Sequence, residues 1–261
     1  LFMGSLSPEM MRIPVMAGKF IHSGLITGII RDSLLSKEVH PRDFAEDMRL
    51  LSKEQVINVV GLENLPSTGG GLIIFNHPEV HIIAPAVFLL PVAFKDIYAR
   101  TDFSILMGGE IPFFGGASFP GSPGLIRRIT DLYPGTFLIV AANKNRSDYR
   151  QVRDRVRQLT IDHLTQGHLV ALSPEAQISK DGSILPPSVY RKGAGGLGLT
   201  AGALGVPITP MAVWLQDDVI QVRFGQGFAI DQGETPSQAA VTMMGEIARY
   251  LPEELRGPFR S

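Results

Sequence analysis

The chain has 261 residues, 44% of them hydrophobic and 19% charged, enough apolar material to bury a large core in one domain with a small appendage. A formal net charge of -1 and a pI near 6.7 exclude a generic nucleic-acid binder, whose affinity would rest on phosphate neutralisation. With no cysteine, disulfides, thiolate metal ligands and a cysteine nucleophile are excluded, which fits a reducing, cytoplasmic setting.

Residues 1–6, which include Met3-Gly4-Ser5, read as an expression remnant. Residues 7–55 read as an N-terminal helical segment packed on the body, with a polar break at 37–41. Its most apolar stretch, 20–35, carries His22, Arg31 and Asp32 and falls short of the roughly 18 to 20 unbroken apolar residues of a spanning helix. Peripheral contact with the inner membrane face is the most this stretch predicts. The body, residues 56–261, opens with strands at 56–60 and 71–75 around a turn-rich Leu65-Pro66-Ser67-Thr68-Gly69-Gly70. A buried helix is expected over 80–90, a strand over 96–99, and a Gly/Pro-rich loop, a candidate lid, over 107–124. Further on come strand 136–141, charged helix 148–165, strand 168–172, small-residue helix 193–204, strands 208–214 and 219–224, and a closing helix 237–251. Alternating strands and helices predict an α/β layer structure.

The segment Asn76-His77-Pro78-Glu79-Val80-His81-Ile82 follows the apolar run Gly71 to Phe75 directly. Proline suits the first helical position and an acidic residue the first turn, so the helix is expected to start at Pro78 with His77 at its N-terminus. A helix N-terminus disfavours the imidazolium and leaves a neutral base near pH 7. His81, one turn along, is the second candidate. Metal chelation by His77 and His81 with Glu79 is disfavoured, because the spacing is not His-Glu-x-x-His and Glu79 would point away from both rings. The chain has no Gly-x-Ser-x-Gly elbow, phosphate-binding Gly-x-x-x-x-Gly-Lys loop or dinucleotide fingerprint.

Three blocks in order resemble the glycerolipid/lysophospholipid (PlsC-like) acyltransferase family. They are Phe75-Asn76-His77-Pro78; Phe137-Leu138-Ile139-Val140 with Asn145-Arg146-Ser147-Asp148; and Ser173-Pro174-Glu175, Tyr190-Arg191-Lys192-Gly193-Ala194 and Val206-Pro207-Ile208-Thr209-Pro210. The resemblance covers roughly 56–228. It implies a central mixed sheet flanked by helices, and an enzyme that moves an acyl group from a thioester, on coenzyme A or acyl carrier protein, to a hydroxyl or amine acceptor. In that family a histidine is the general base; His77 matches it, and no further cofactor is implied. Asn76, Lys144, Arg146, Glu175, Gln177, Arg191 and Lys192 fall in or beside the blocks as expected substrate contacts. An acidic carrier protein or the phosphates of coenzyme A would meet Lys144, Arg146 and the arginines at 150, 153, 155 and 157, a run that otherwise reads as a solvated helix face.

The chain departs from the family in three places. The aspartate expected four residues beyond the histidine block is Ile82, so Glu79, His81 or a backbone carbonyl must orient the ring, or catalysis is weakened. The family's strand-end Asp-Arg reads Ala141-Ala142-Asn143, and its Pro-Glu-Gly-Thr-Arg reads Pro174-Glu175-Ala176-Gln177-Ile178. Both phosphate-gripping arginines are gone, which points to an acceptor without a phosphomonoester. Two other readings fit the same losses: a lipid- or acyl-binding protein without catalysis, and a thioester hydrolase.

Overall fold

The computed structural model describes residues 11–13, 43, 45, 47, 57–108, 131, 133–140, 147–175 and 177–260. Its centre is a single eight-stranded sheet of β1 (Met11–Ile13), β2 (Ile57–Val60), β3 (Gly71–Phe75), β4 (Phe103–Gly108), β5 (Phe137–Val140), β6 (Leu169–Leu172), β7 (Ile208–Gln216) and β8 (Val219–Phe224). The spatial order is β1-β2-β8-β7-β3-β6-β4-β5. Strands β7, β3, β6, β4 and β5 are mutually parallel, β8 turns back on β7, and β2 runs parallel to β8. The sheet is therefore mixed, and the carboxyl ends of its five parallel strands open on one edge.

Helices cover both faces. Every residue of β3 is buried, as expected for a central parallel strand with helices on both sides. Ile73 and Phe75 pack with Ile82, Ile83, Ala86 and Val87 of helix α1 (Val80–Tyr98). Leu72 and Ile74 face Leu164 of α2 (Tyr149–Thr165), Leu197 and Ala201 of α3 (Lys192–Ala203), and Met243 and Ile247 of α4 (Pro236–Ala248). The period-2 alternation of β3 thus splits its side chains between two apolar layers. The start of α4 is set by a full capping box, Thr235 with Gln238, and by Pro236 in the first turn. No helix among the described residues is long and apolar enough to cross a membrane.

Three local expectations are corrected. Residues 11–13, expected within the helical segment, form a strand antiparallel to β2; Ala45 and Asp47 are helical and buried, and most of the remaining N-terminal segment lies outside the described residues. The strand expected over 96–99 is instead the last turn of α1, which ends at Ala99 with φ 53. A short apolar run does not distinguish strand from helix by its period, and a helix already propagating through 80–95 extends cooperatively. The strand is β4, at Phe103–Gly108, so its last two residues replace the beginning of the expected lid loop; the rest of that loop lies outside the described residues.

At the opposite edge from the carboxyl ends, Arg100 gathers three loops. Its guanidinium donates to the carbonyls of Pro66 (2.9 Å), Gly69 (2.9 Å) and Gly167 (2.6 Å), and it also pairs with Asp102. Helices α3 and α4 touch at backbone distance. A Cβ on Gly195 would collide with the carbonyl oxygen of Pro236 and lie 2.8 Å from the nitrogen of Ala240, whereas one on Gly196 would meet nothing within 4 Å. Gly195→Ala is therefore expected to destabilise the protein by about 1–3 kcal/mol through overpacking. Gly196→Ala is expected to be neutral or stabilising, by up to about 1 kcal/mol. Urea denaturation of the two variants side by side measures both effects.

Candidate active site

The site grows from the end of β3. Asn76, 1% exposed, turns its amide sideways onto β7: Nδ2 donates to the carbonyl of Val213 and Oδ1 accepts from the N–H of Val213, both at 2.8 Å. The side chain thus imitates a further peptide of the β3–β7 ladder after the Phe75–Met211 pair. It fixes the direction in which the chain leaves the sheet. Both polar atoms of the amide are thereby engaged on β7.

The next residue is His77, partly buried in the extended segment between β3 and α1. Its Nδ1 lies 3.3 Å from the carbonyl oxygen of Pro78. In the tautomer that donates from Nδ1, the ring is held by a backbone carbonyl and Nε2 keeps its lone pair. Burial pushes the imidazole below its ordinary value of 6.5, against the opposing pull of backbone carbonyls. The direction favours the neutral ring, and its cause is desolvation where a helix terminus was expected. Helix α1 begins at Val80, and the carbonyl of Glu79 accepts from Ile82 (2.9 Å) and Ile83 (3.0 Å). Glu79 is thus the residue flanking the helix, Pro78 stands outside it, and desolvation rather than a helix terminus keeps the proton off.

The backbone of His77 is gripped from β6. Glu175, 5% exposed, accepts the N–H of His77 at 2.7 Å on Oε2 and the N–H of Leu185 at 2.8 Å on Oε1. Burial raises its carboxyl above the usual range, and the two backbone donors pull it partway back. The carbonyl of His77 accepts from the N–H of Ser179 at 2.9 Å. Both polar groups of the His77 backbone are therefore held by residues 175–179.

The loop that follows is knotted on itself. Asp181 accepts from the side chain of Ser179 (2.9 Å) and from the hydroxyl (2.6 Å) and N–H (3.0 Å) of Ser183, and these donors, the Ser183 hydroxyl foremost, pull its carboxyl down to about 2. Tyr190 donates to the carbonyl of Leu185 at 2.7 Å, and its backbone bridges Glu175. Burial, and secondarily the charge of Glu175, raise the phenol above its usual range.

The remaining expected residues divide. Gln177, Arg191 and Lys192 are exposed, with no hydrogen bond or ion pair from their side chains among the described residues, and the N–H of Arg191 donates to the carbonyl of Pro174 at 2.9 Å, which sets the start of α3 beside Glu175. Neither cation pairs with Glu175, so this carboxylate is not a surface ion-pair partner. Glu79 is half-buried and engaged. His81 lies within α1, but its side chain, like Lys144 and Arg146 as whole residues, falls outside the described residues. Ile82 is 8% exposed in the apolar layer under α1. Among the described residues, no group of three His, Asp or Glu converges as metal ligands.

Sequence reasoning missed the partners that act through their backbone. The N–H groups of Ser179 and Leu185 and the peptide of Val213 carry no side-chain signature. The one available signal was Ser179-x-Asp181-x-Ser183, a side-chain-to-backbone turn pattern that marks an ordered loop.

Comparison with known proteins bears on the whole arrangement. No curated protein matches the chain. In fold it is similar to the crystal structure of the 1-acyl-sn-glycerophosphate (LPA) acyltransferase PlsC from Thermotoga maritima, with a TM-score of 0.46 and 15% identity over 87% of this chain and 89% of that one. A family model described as Acyltransferase matches residues 56–214, the stretch that holds β2 through most of β7 and every residue of the His77–Glu175 clamp. The chain belongs to the acyltransferase family.

Proposed function

We propose that this protein transfers an acyl group from a thioester, on coenzyme A or acyl carrier protein, to a hydroxyl or amine acceptor, with His77 as general base. The observation that supports this most is the partly buried His77 ring, with Nδ1 at a backbone carbonyl, its backbone clamped at both polar groups, and its proton affinity lowered by burial. The acceptor O–H or N–H gives its proton to Nε2 as its heavy atom attacks the thioester carbonyl carbon. The tetrahedral intermediate then expels the thiolate, which recovers that proton from Nε2. No covalent enzyme intermediate is needed.

Glu175 serves as a positioning residue, because both its oxygens are taken by backbone donors. Arg191 and Lys192, exposed and unengaged beside it, receive an anionic part of the donor or acceptor. Helix α2 descends from the catalytic edge with Arg150, Arg153, Arg155 and Arg157 exposed, a surface suited to an acidic carrier protein or to coenzyme A phosphates. The missing strand-end arginine and Ile178 in place of the second arginine favour an acceptor without a phosphomonoester. The proposed setting is cytoplasmic, with peripheral contact at the inner membrane face.

The deciding assay follows thiol release from acyl-coenzyme A and from acyl carrier protein across a panel of acceptors, with the acyl product identified. Acylated acceptor supports the proposal; free acid alone would make the protein a hydrolase, and no thioester consumption with any pair would leave a binding protein. In an active pair, His77→Gln is expected to lower kcat by roughly 10²–10⁴-fold. Because burial depresses the His77 pKa, kcat/KM is expected to rise with pH through a midpoint below 6.5. A midpoint at or above 6.5 would contradict the desolvated ring.

Ile82→Asp restores the family's spacing at the cost of placing a carboxylate among Ile83, Ala86 and Val87. It is expected to destabilise the fold by about 3 kcal/mol or more at pH 8. A buried carboxyl has its pKa raised in the folded state, so the loss grows as pH rises from 5 to 8. Denaturation of the variant at both pH values gives the sign directly.

A further inference from the structure

The clamp on His77 has an outer support in a part of the chain beyond the matched residues 56–214. After α4, two single 3-10 turns, Glu253–Leu255 and Gly257–Phe259, lie across the loop that leaves Glu175. The carbonyl of Leu255 accepts from the N–H of Ile184 at 2.9 Å, and the very next N–H, that of Leu185, donates to Glu175 at 2.8 Å. Ile184 is 2% exposed, and Leu255 and Phe259 pack against the same apolar layer. Gly257 has φ +55, and a Cβ there would collide with the carbonyl oxygen of Ile184 and lie 2.9 Å from its carbonyl carbon. Phe259 in turn rests on α4, where a Cβ on Gly245 would lie 3.3 Å from its ring.

Two successive peptides of one loop are therefore shared between the C-terminal turns and the carboxylate that holds the catalytic histidine. We propose that residues 252–260 are a positioning element of the active site: through Ile184 and Leu185 they hold Glu175, and through Glu175 they hold His77 in its shielded place. This rests on the reading of His77 as the base. The glycine is required because only a residue without a side chain lets the turn approach the loop this closely in a left-handed conformation.

The test follows the His77 ring by NMR in the histidine-labelled 261-residue chain, its signal assigned by loss in His77→Gln. Glu175, the titratable side chain on the His77 backbone among the described residues, is present in every form compared. The wild type is expected to titrate below 6.5 at His77. In Gly257→Ala, and in a chain ended after Leu251, the midpoint is expected to move up toward 6.5 while thermal unfolding stays cooperative. Folded variants that keep the wild-type titration would overturn the proposal, even if their melting temperature falls, because a merely structural tail lowers stability without touching the ring. Hydrogen exchange on the wild type decides the matter without any variant. The amides of Ser179, Ile184 and Leu185 are expected to open together with residues 253–259; Ser179 and Leu185 protected beside freely exchanging terminal turns would sink the idea. Neither readout needs a substrate, so failure here is distinct from failure of His77 as base, which appears only as unchanged thioester turnover in His77→Gln.

Discussion

A buried carboxylate organises this molecule. Glu175 sits just past the end of β6 and takes hydrogen bonds from the backbones of two segments, His77 after β3 and Leu185 in the long loop before α3. Removing a carboxylate from water costs several kcal/mol, and charge-assisted bonds from peptide N–H groups offset that cost only when the donors are rigid. The rigidity comes from elsewhere: from Asn76 on Val213, from the Ser179–Asp181–Ser183 knot, and from Tyr190 on Leu185. Each of these would be a minor local feature alone. Together they make the carboxylate tolerable, and the carboxylate makes the histidine immobile.

The second organising fact is a substitution. An aspartate paired with a histidine would hold the ring and also favour its charged form. Here the carbonyl of Pro78 approaches Nδ1, while Ile82 has been absorbed into the core beneath α1. A carbonyl supplies direction without a countercharge, so burial governs the ring's proton affinity. The ring is consequently held in direction and is less basic than an ordinary imidazole.

Much of this was legible in the sequence because the relevant signals were periodic or local. The all-apolar Gly71 to Phe75 announced a central strand, and Asp148 to Thr165 a surface helix with one apolar face. The α/β class followed from alternation. The helix start near Pro78 was displaced by two residues because proline and an acidic residue are equally at home just before a helix. The strand at 103–108 was missed beside a run at 96–99 that only tertiary context assigns to α1. In the site, His77 and Glu175 were marked by residue type and order, but their contact is main chain to side chain. Glu175 was expected to position the acceptor or buttress the site, and its oxygens accept from peptide N–H groups, because nothing in the letters Pro-Glu says which backbone will end within 3 Å of it.

The Arg100 knot lies at the edge of the sheet farthest from any chemistry, yet it sets a distance there. Strands β3 and β6 run in register from Gly71 opposite Leu169 to Ile74 opposite Leu172. His77 and Glu175 each stand three positions further on, so the same register brings them level. Arg100 ties the chain just ahead of β3, at Pro66 and Gly69, to the chain just ahead of β6, at Gly167. It acts as the datum from which both strands are measured out. A slip of one residue there would carry the carboxylate past the histidine at the other end, so a cation remote from the reaction calibrates the spacing on which the site depends.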